Sequence, residues 1–413
     1  MISTPILSPA QILLPPYAPA SAEWEKWAVI ACDQFTSEPE YWEKAAQTAA
    51  GAPSALRLIL PEAYLGTADE GRMRAKIACA MKELDRHWLR QYPDSMMYLR
   101  RTLPDGRVRC GLIGKIDLER YDYQKGSASA VRATEATVLE RIPPRVAIRS
   151  EAVFELPHVM LLMEDTDRLF DYLCEHKDSY APAYDFELML GGGHVQGYRI
   201  SGAALDGVTA RLGAYEASRA DGLVYAVGDG NHSLAAARAH YVRLKESLGD
   251  AALSHPARYA LAEVVALQDP ALAFEPIYRV VTGCDPEDLL AAFASVSAPG
   301  AGEQTVRVVC ADGEQTVSFT GKRHALTVGT LQDFLDGYLQ QHPEVRCDYI
   351  HDETSLLSLA RRSGSVGFLF EGMPKEMLFP YVREHGTLPR KTFSMGEARS
   401  KRYYIEARRI IGE

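Results

Sequence analysis

Between residues 69 and 91 the apolar side chains Met73, Ile77, Met81, Leu84 and Trp88 recur every three or four positions, which predicts an amphipathic helix. The pattern then changes: residues 97–103 and 107–116 are apolar-rich runs flanking Pro104-Asp105-Gly106, a hairpin turn signal. Short apolar runs at 27–31 and 57–60 read as strands. Between them, Pro39 after Ser37 suits the first turn of a serine-capped helix, with Glu38 and Glu40 near its positive end. Further along, 156–163 is an apolar run, 165–176 has helical spacing, and 186–200, carrying Gly191-Gly192-Gly193, reads as a second hairpin. A helix over 203–219, a strand over 223–227, a helix over 233–248 and a strand-rich stretch over 258–281 follow. From about Cys284 come a helix (286–294), a hairpin (305–319, turning at Ala311-Asp312-Gly313-Glu314), then helices over 330–341, 353–362 and 374–385 alternating with strands over 345–350 and 365–370. The expected class is α+β, mixed sheets with helices, divided near residue 283 into a core of 1–282 with hairpin insertions and a C-terminal α+β unit of 283–413. Residues 1–22, rich in proline and poor in charge, are expected to lie extended across a surface.

Composition narrows this little. A chain of 413 residues has room for roughly two or three domains. With 47% hydrophobic and 24% charged residues it can bury a core without disulfides, so disordered and fibrous classes drop out. The formal charge of −10 argues against a surface built to neutralise phosphate backbones, and no nucleic-acid partner is expected. The arginines between Arg86 and Arg109 read as a solvated strand face. Seven singly scattered cysteines with no C-x-x-C pair indicate reduced cytoplasmic thiols and no structural zinc. Neither a signal peptide nor a membrane-spanning run is expected.

The most informative stretch is Leu223-Val224-Tyr225-Ala226-Val227-Gly228-Asp229-Gly230-Asn231-His232-Ser233-Leu234. A short apolar strand enters a Gly-Asp-Gly turn and an alanine-rich helix leaves it. Glycine permits positive φ and close approach of a ligand to backbone, while the free amides of a helix start point at an anion. Asp229, Asn231, His232 and Ser233 add four kinds of polar group, more than capping requires, although a capped turn uses the same residues. Neither the Walker spacing nor a dinucleotide fingerprint is present.

Residues 28–36 (Ala-Val-Ile-Ala-Cys-Asp-Gln-Phe-Thr), 58–62 (Leu-Ile-Leu-Pro-Glu), the strand–GDGNHS–helix unit and 388–392 (Leu-Pro-Arg-Lys-Thr) resemble the Domain of Unknown Function 1015 family over nearly the whole chain. That family's turn is similar to the nucleotide-binding turn of the ParB/sulfiredoxin superfamily, which includes free-serine kinases. The resemblance implies a ParB/sulfiredoxin-like core in which Gly228, Asp229, Gly230, Asn231, His232 and Ser233 cradle nucleotide phosphates. Related turns commonly carry arginine after the histidine. This chain has Ser233 there, so a phosphate-binding cation must come from elsewhere.

Arg132, after a Gly/Ser loop, could supply that cation, since guanidinium reads phosphate oxygens in bidentate fashion. The alternative is a helix start capped by Thr134 with Arg132 solvated. Arg390 and Lys391 are the other candidates, against a reading as exposed charges. For a general base or Mg²⁺ ligand, Asp33 at the end of an apolar run is the first choice and Glu38 the fallback base. Asp33 with Glu135 or Asp229 would satisfy Mg²⁺, which takes one or two carboxylates plus phosphate oxygens. His232 would stabilise charge on the transferring group. His194 reads as a loop-tip residue, His351-Asp352-Glu353 as a helix start, and His158 lies inside an apolar run.

Two functions are therefore expected as alternatives. One is a kinase that uses Mg²⁺ with ADP or ATP to phosphorylate a small hydroxyl-bearing metabolite such as serine. The other is a non-catalytic or NTP-hydrolysing switch of ParB type. The expected partner is a small-molecule substrate, with a homodimer left open.

Overall fold

Alternate residues of the longest strand part into two separate cores. In the computed structural model, which describes residues 5–65, 67, 69–219 and 222–412, strand Arg90–Thr102 sends Met96 and Tyr98 to one face and Met97 and Leu99 to the other. Its hairpin partner Val108–Asp117 does the same with Leu112 and Ile116 against Ile113. A sheet covered on both faces needs apolar residues at every position, so its strands read as continuous apolar runs.

The chain forms two compact units of α+β class, one of residues 5–272 with 397–412 and one of Ala273–Gly396. The first is built on a mixed sheet whose strands run in the order Ala181–Glu187, His194–Ile200, Arg90–Thr102, Val108–Asp117, Tyr259–Ala266, Met160–Met163, Tyr225–Asp229, Val131–Ala133 and Tyr121–Asp122. On one face, helix Ala203–Ser218 contributes Leu205, Val208, Leu212 and Tyr215, and helix Asn231–Leu248 contributes Leu234, Ala237 and Tyr241. Ala235 and Ala236 turn instead to Ile142 and Val146 of helix Ile142–Glu151, which explains the alanine run: small side chains let the two helices pack closely. On the other face Trp24, Trp27 and Trp42 pack with Tyr403, Tyr404 and Ile405 of the returning C-terminal segment.

That return moves both unit boundaries relative to the expected break at 283. Strands Phe274–Pro276 and Tyr278–Thr282 pair with Phe393–Met395, Arg346–Ile350 and Ser365–Phe370 of the second unit. Two-residue strands Tyr403–Tyr404 and Arg408–Arg409 pair with Val29–Ile30 and Phe154–Glu155 of the first. Strands this short carry no period to read. The second unit has a six-stranded antiparallel sheet ordered Ser297–Pro299, Gly313–Phe319, Thr305–Cys310, Ser365–Phe370, Tyr278–Thr282 and Arg346–Ile350. Its helix Glu353–Ala360 begins as expected, with Asp352 accepting from Ser355 N–H at 2.7 Å.

Other expectations change. Residues 57–60 are not a strand: Ser54 Oγ accepts from Leu56 N–H and starts a single 3₁₀ turn, Ala55–Leu58. The run at 27–31 is split between helix Glu23–Trp27 and strand Val29–Ile30. Glu38, not Ser37, holds the cap position of helix Pro39–Thr48 and makes no side-chain cap bond. Leu7–Ser8 and Ala10–Leu14 pair with the main sheet, so the proline-rich start is extended but buried, with Leu7 and Ile12 in the two cores. Arg101 and Arg109 do not face solvent: both are buried against the returning segment, donating to the carbonyls of Arg399, Ser400 and Lys401. His194 bridges Asp185 and Glu187 at 2.6 and 2.9 Å. Among the described residues no helix is long and apolar enough to cross a membrane.

His240, half-buried on helix Asn231–Leu248, carries a pH dependence. Burial, then the charges of Arg149, His255 and Arg243, pull its imidazole down to about 4. The unfolded chain binds this proton near pH 6.5 and the folded protein does not, so stability falls as pH drops from about 6.5 towards 4. Solvent screening of a half-exposed ring limits the loss to about 1 kcal/mol. In urea titrations, His240→Gln is expected to lose about 1 kcal/mol less stability than the wild type between pH 7 and pH 4.

Candidate active site

The strand Tyr225–Asp229 ends at Gly228 and Asp229, where its pairing with Met160–Met163 becomes irregular. Gly230 then turns the chain with φ +79° and caps helix Asn231–Leu248 without any side-chain bond. A Cβ at Gly230 would stand 3.0 Å from Val159 Cα, so both its φ and its space demand glycine. The first intrahelical bond runs from Leu234 N–H to Gly230 O, leaving the amides of residues 231–233 at the open end of an 18-residue helix. Asn231 Oδ1 is buried there with no hydrogen-bond partner.

A cation does stand beside the turn: Lys401. Its Nζ lies 3.1 Å from Asp229 Oδ2, and the lysine side chain is only 11% exposed. The returning segment thus delivers to the helix start a charge 172 positions away in sequence. Asp229 also accepts from Gly230 N–H at 2.9 Å. Asp33 is half-buried within electrostatic reach of His158 and Lys401. Burial alone would raise its pKa, but the charges of His158 and Lys401 and the Gln34 amide outweigh it, holding the carboxyl below its ordinary range. Asp33 is therefore a carboxylate at neutral pH.

His158, which sequence reasoning left inside an apolar run, is nine-tenths buried beside the turn. Its Nε2 lies 2.8 Å from Ser233 Oγ and its Nδ1 2.8 Å from Tyr404 OH. Tyr404 OH in turn accepts from Cys32 N–H at 3.1 Å. Burial, then the charge of Asp33, pushes the Cys32 thiol up to about 12, so it is no nucleophile at neutral pH. Ser233 and His158 also border a cavity of about 170 Å³ walled by Leu60, Leu156, Leu261 and Ile410. Arg145 and Arg149 reach it too, but the first is bonded to Glu62 and the second to Glu155 at 2.6 Å, so its wall is charge-balanced.

The structure thus gathers Asp33, Gly228, Asp229, Gly230, Asn231, His232 and Ser233 around one helix start. His232 has a further duty, since its Nε2 accepts from Val138 N–H at 3.2 Å and ties down the segment after Thr134. Thr134 caps no helix: it follows strand Val131–Ala133 and donates to Val227 O at 2.6 Å. Arg132 lies on that strand opposite Ala226, its Nε donating to Ser129 O at 2.8 Å. Glu38 is exposed at its helix start. Arg390 and Lys391 belong to the second unit, where the Arg390 guanidinium bonds Tyr349 and Asp336 and both backbone carbonyls accept from buried Arg279. Among the described residues no three His, Cys, Asp or Glu side chains are grouped to hold a metal.

Solved structures that align with the chain include a free serine kinase in complex with AMP (10% identity, 71% of this chain and 90% of that one, TM-score 0.38). SbnI with C-terminal truncation from Staphylococcus aureus is another (9% identity, 69% and 82%, TM-score 0.38), as is a conserved hypothetical protein from Pyrococcus furiosus (11% identity, 71% and 90%, TM-score 0.36). No curated protein matches the chain. The family model described as "Protein of unknown function (DUF1015)" matches residues 14–338, a span that includes the whole Gly228–Ser233 turn, and the chain belongs to that family.

Proposed function

We propose that the first unit binds the phosphates of ADP or ATP at the start of helix Asn231–Leu248 and transfers a phosphoryl group to the hydroxyl of a small metabolite. The observation that carries this reading is the convergence of two features: an uncapped helix end entered through a positive-φ glycine, and the Lys401 ammonium beside it. Helix-end amides and a nearby ammonium are the groups that hold phosphate oxygens and stabilise the charge of a phosphoryl in transit. Asp33, ionised at neutral pH, can orient the acceptor hydroxyl and take its proton.

The residues fit Mg²⁺ in part. Magnesium needs only one or two carboxylates when phosphate oxygens complete its shell, and Asp33 offers one; Asp229 is already bonded to Lys401 and to Gly230 N–H. When bound, the ion would neutralise charge on the phosphate oxygens. The test is ³¹P NMR of ADP or ATP with Mg²⁺, wild-type protein and a pool of hydroxyl-bearing metabolites. A new phosphomonoester signal supports the reading. Saturable nucleotide binding without transfer favours the nucleotide switch, and no binding at all removes both.

A further inference from the structure

The part-buried side-chain contact between Ser233 Oγ and His158 is separate from the backbone amides that hold phosphate, and nothing in helix capping requires it. Ser233 occupies the third position of the helix, with its amide at the open end and its Oγ 2.8 Å from His158 Nε2. The far side of the imidazole is fixed by Tyr404 OH at 2.8 Å, which also accepts from Cys32 N–H. In the tautomer whose Nδ1–H donates to the tyrosine oxygen, Nε2 is the acceptor of the Ser233 proton. A nucleophile, a base at hydrogen-bond distance and a third group orienting the base form the arrangement of an activated serine. The Asp33 carboxylate lies within electrostatic reach of His158, where it can offset the positive charge that arrives when the proton moves.

Deepening the phosphotransferase reading and resting on it, we infer that the phosphoryl group passes through Ser233, and that the final acceptor is an alcohol whose apolar body fills the adjoining cavity. In the first step Ser233 Oγ attacks the terminal phosphorus of the nucleotide. The Oγ–P bond forms, the bond from phosphorus to the bridging oxygen breaks, the nucleotide leaves with that electron pair, and the Oγ proton moves to His158 Nε2. In the second step the acceptor oxygen attacks phosphoserine, the Oγ–P bond breaks, His158 returns its proton to Oγ, and the acceptor's proton goes to Asp33 and then to water. The cavity favours an apolar acceptor over a zwitterion such as free serine: its walls are aliphatic, and both arginines reaching it are already paired with glutamates.

The experiment is intact-protein and peptide mass spectrometry after incubation of the full chain with ATP or ADP and Mg²⁺, without acceptor. One phosphoryl group on the Ser233 peptide is expected. Ser233→Ala saturated with nucleotide should stay unmodified, and His158→Asn should acquire the group at least tenfold more slowly. Addition of 2-phenylethanol should discharge the phosphoenzyme faster than addition of L-serine. If nucleotide binds and is consumed while Ser233 stays unmodified, or if Ser233→Ala transfers phosphate at the wild-type rate, the relay is overturned and the phosphotransferase reading stands. If L-serine discharges it faster, the apolar acceptor is overturned. If the wild-type protein binds no nucleotide, the underlying reading fails and the relay with it.

Discussion

Replacing Arg402 with methionine is expected to destabilise the first unit by about 3–5 kcal/mol, the cost of leaving buried carboxylates without their cation. Arg402 is 4% exposed and bonds Glu263 at 2.5 Å, Glu406 at 2.6 Å and Pro157 O at 3.0 Å. Glu263 and Glu406 are buried as deeply, and Glu406 is further bonded to Tyr184. Burial, only partly offset by Arg402, raises the Glu406 pKa. Burial also acts to raise that of Glu263, but Arg402 and Arg109 together hold it low. Without Arg402, Glu263 keeps only Arg109, 3.8 Å away, and Arg101 further out, so both carboxyls rise and take up protons. The sign follows: the variant's deficit is largest at neutral pH, where the unfolded chain carries both carboxylates charged, and shrinks as pH falls towards 4. Differential scanning calorimetry at pH 7.5 and 4.5 checks both parts, with a Tm lowered on the order of 6–15 °C at the higher pH. Because Lys401 and Tyr404 flank this anchor, ligand binding should weaken together with the fold.

Replacing Lys401 with methionine is expected to weaken nucleotide affinity about 10–100-fold, the worth of one charge-assisted hydrogen bond of roughly 1.5–3 kcal/mol. Stability should change far less, since the Lys401–Asp229 pair lies at the rim of the core, with Asp229 23% exposed. The loss should exceed the effect of charge alone in one respect: Asp229, freed of its cation, puts an uncompensated negative charge beside the anion site. Isothermal titration with ADP and Mg²⁺ at two salt concentrations separates these contributions. The wild-type affinity should fall with added salt and that of the variant should fall less.

How much of this was visible in the chain beforehand depends on the residue. Helix Asn231–Leu248 and its turn were legible because glycine, a strand-type run and an alanine-rich run stand side by side. The second unit's helices and hairpin were legible from period alone, for example helix Pro286–Ala294 and strand Ser365–Phe370. Lys401 was not, because the Arg399–Arg402 run looks like a solvated charge cluster. Only the fold shows that Arg402 turns inward to Glu263 while Lys401 turns to Asp229. His158 left a faint trace: one imidazole among apolar neighbours after Pro157, next to a strand whose other positions are buried aliphatics. Arg101 and Arg109 misled for a general reason. A strand residue's side is set by what packs above it, and here that is a segment about 300 positions later.

The most direct test of the account is a crystal structure of the wild-type protein grown with ADP and Mg²⁺. It should place the phosphates against the backbone amides of Asn231, His232 and Ser233, with Lys401 Nζ in contact with a phosphate oxygen. Nucleotide bound elsewhere, with the helix start and Lys401–Asp229 unchanged, would contradict it.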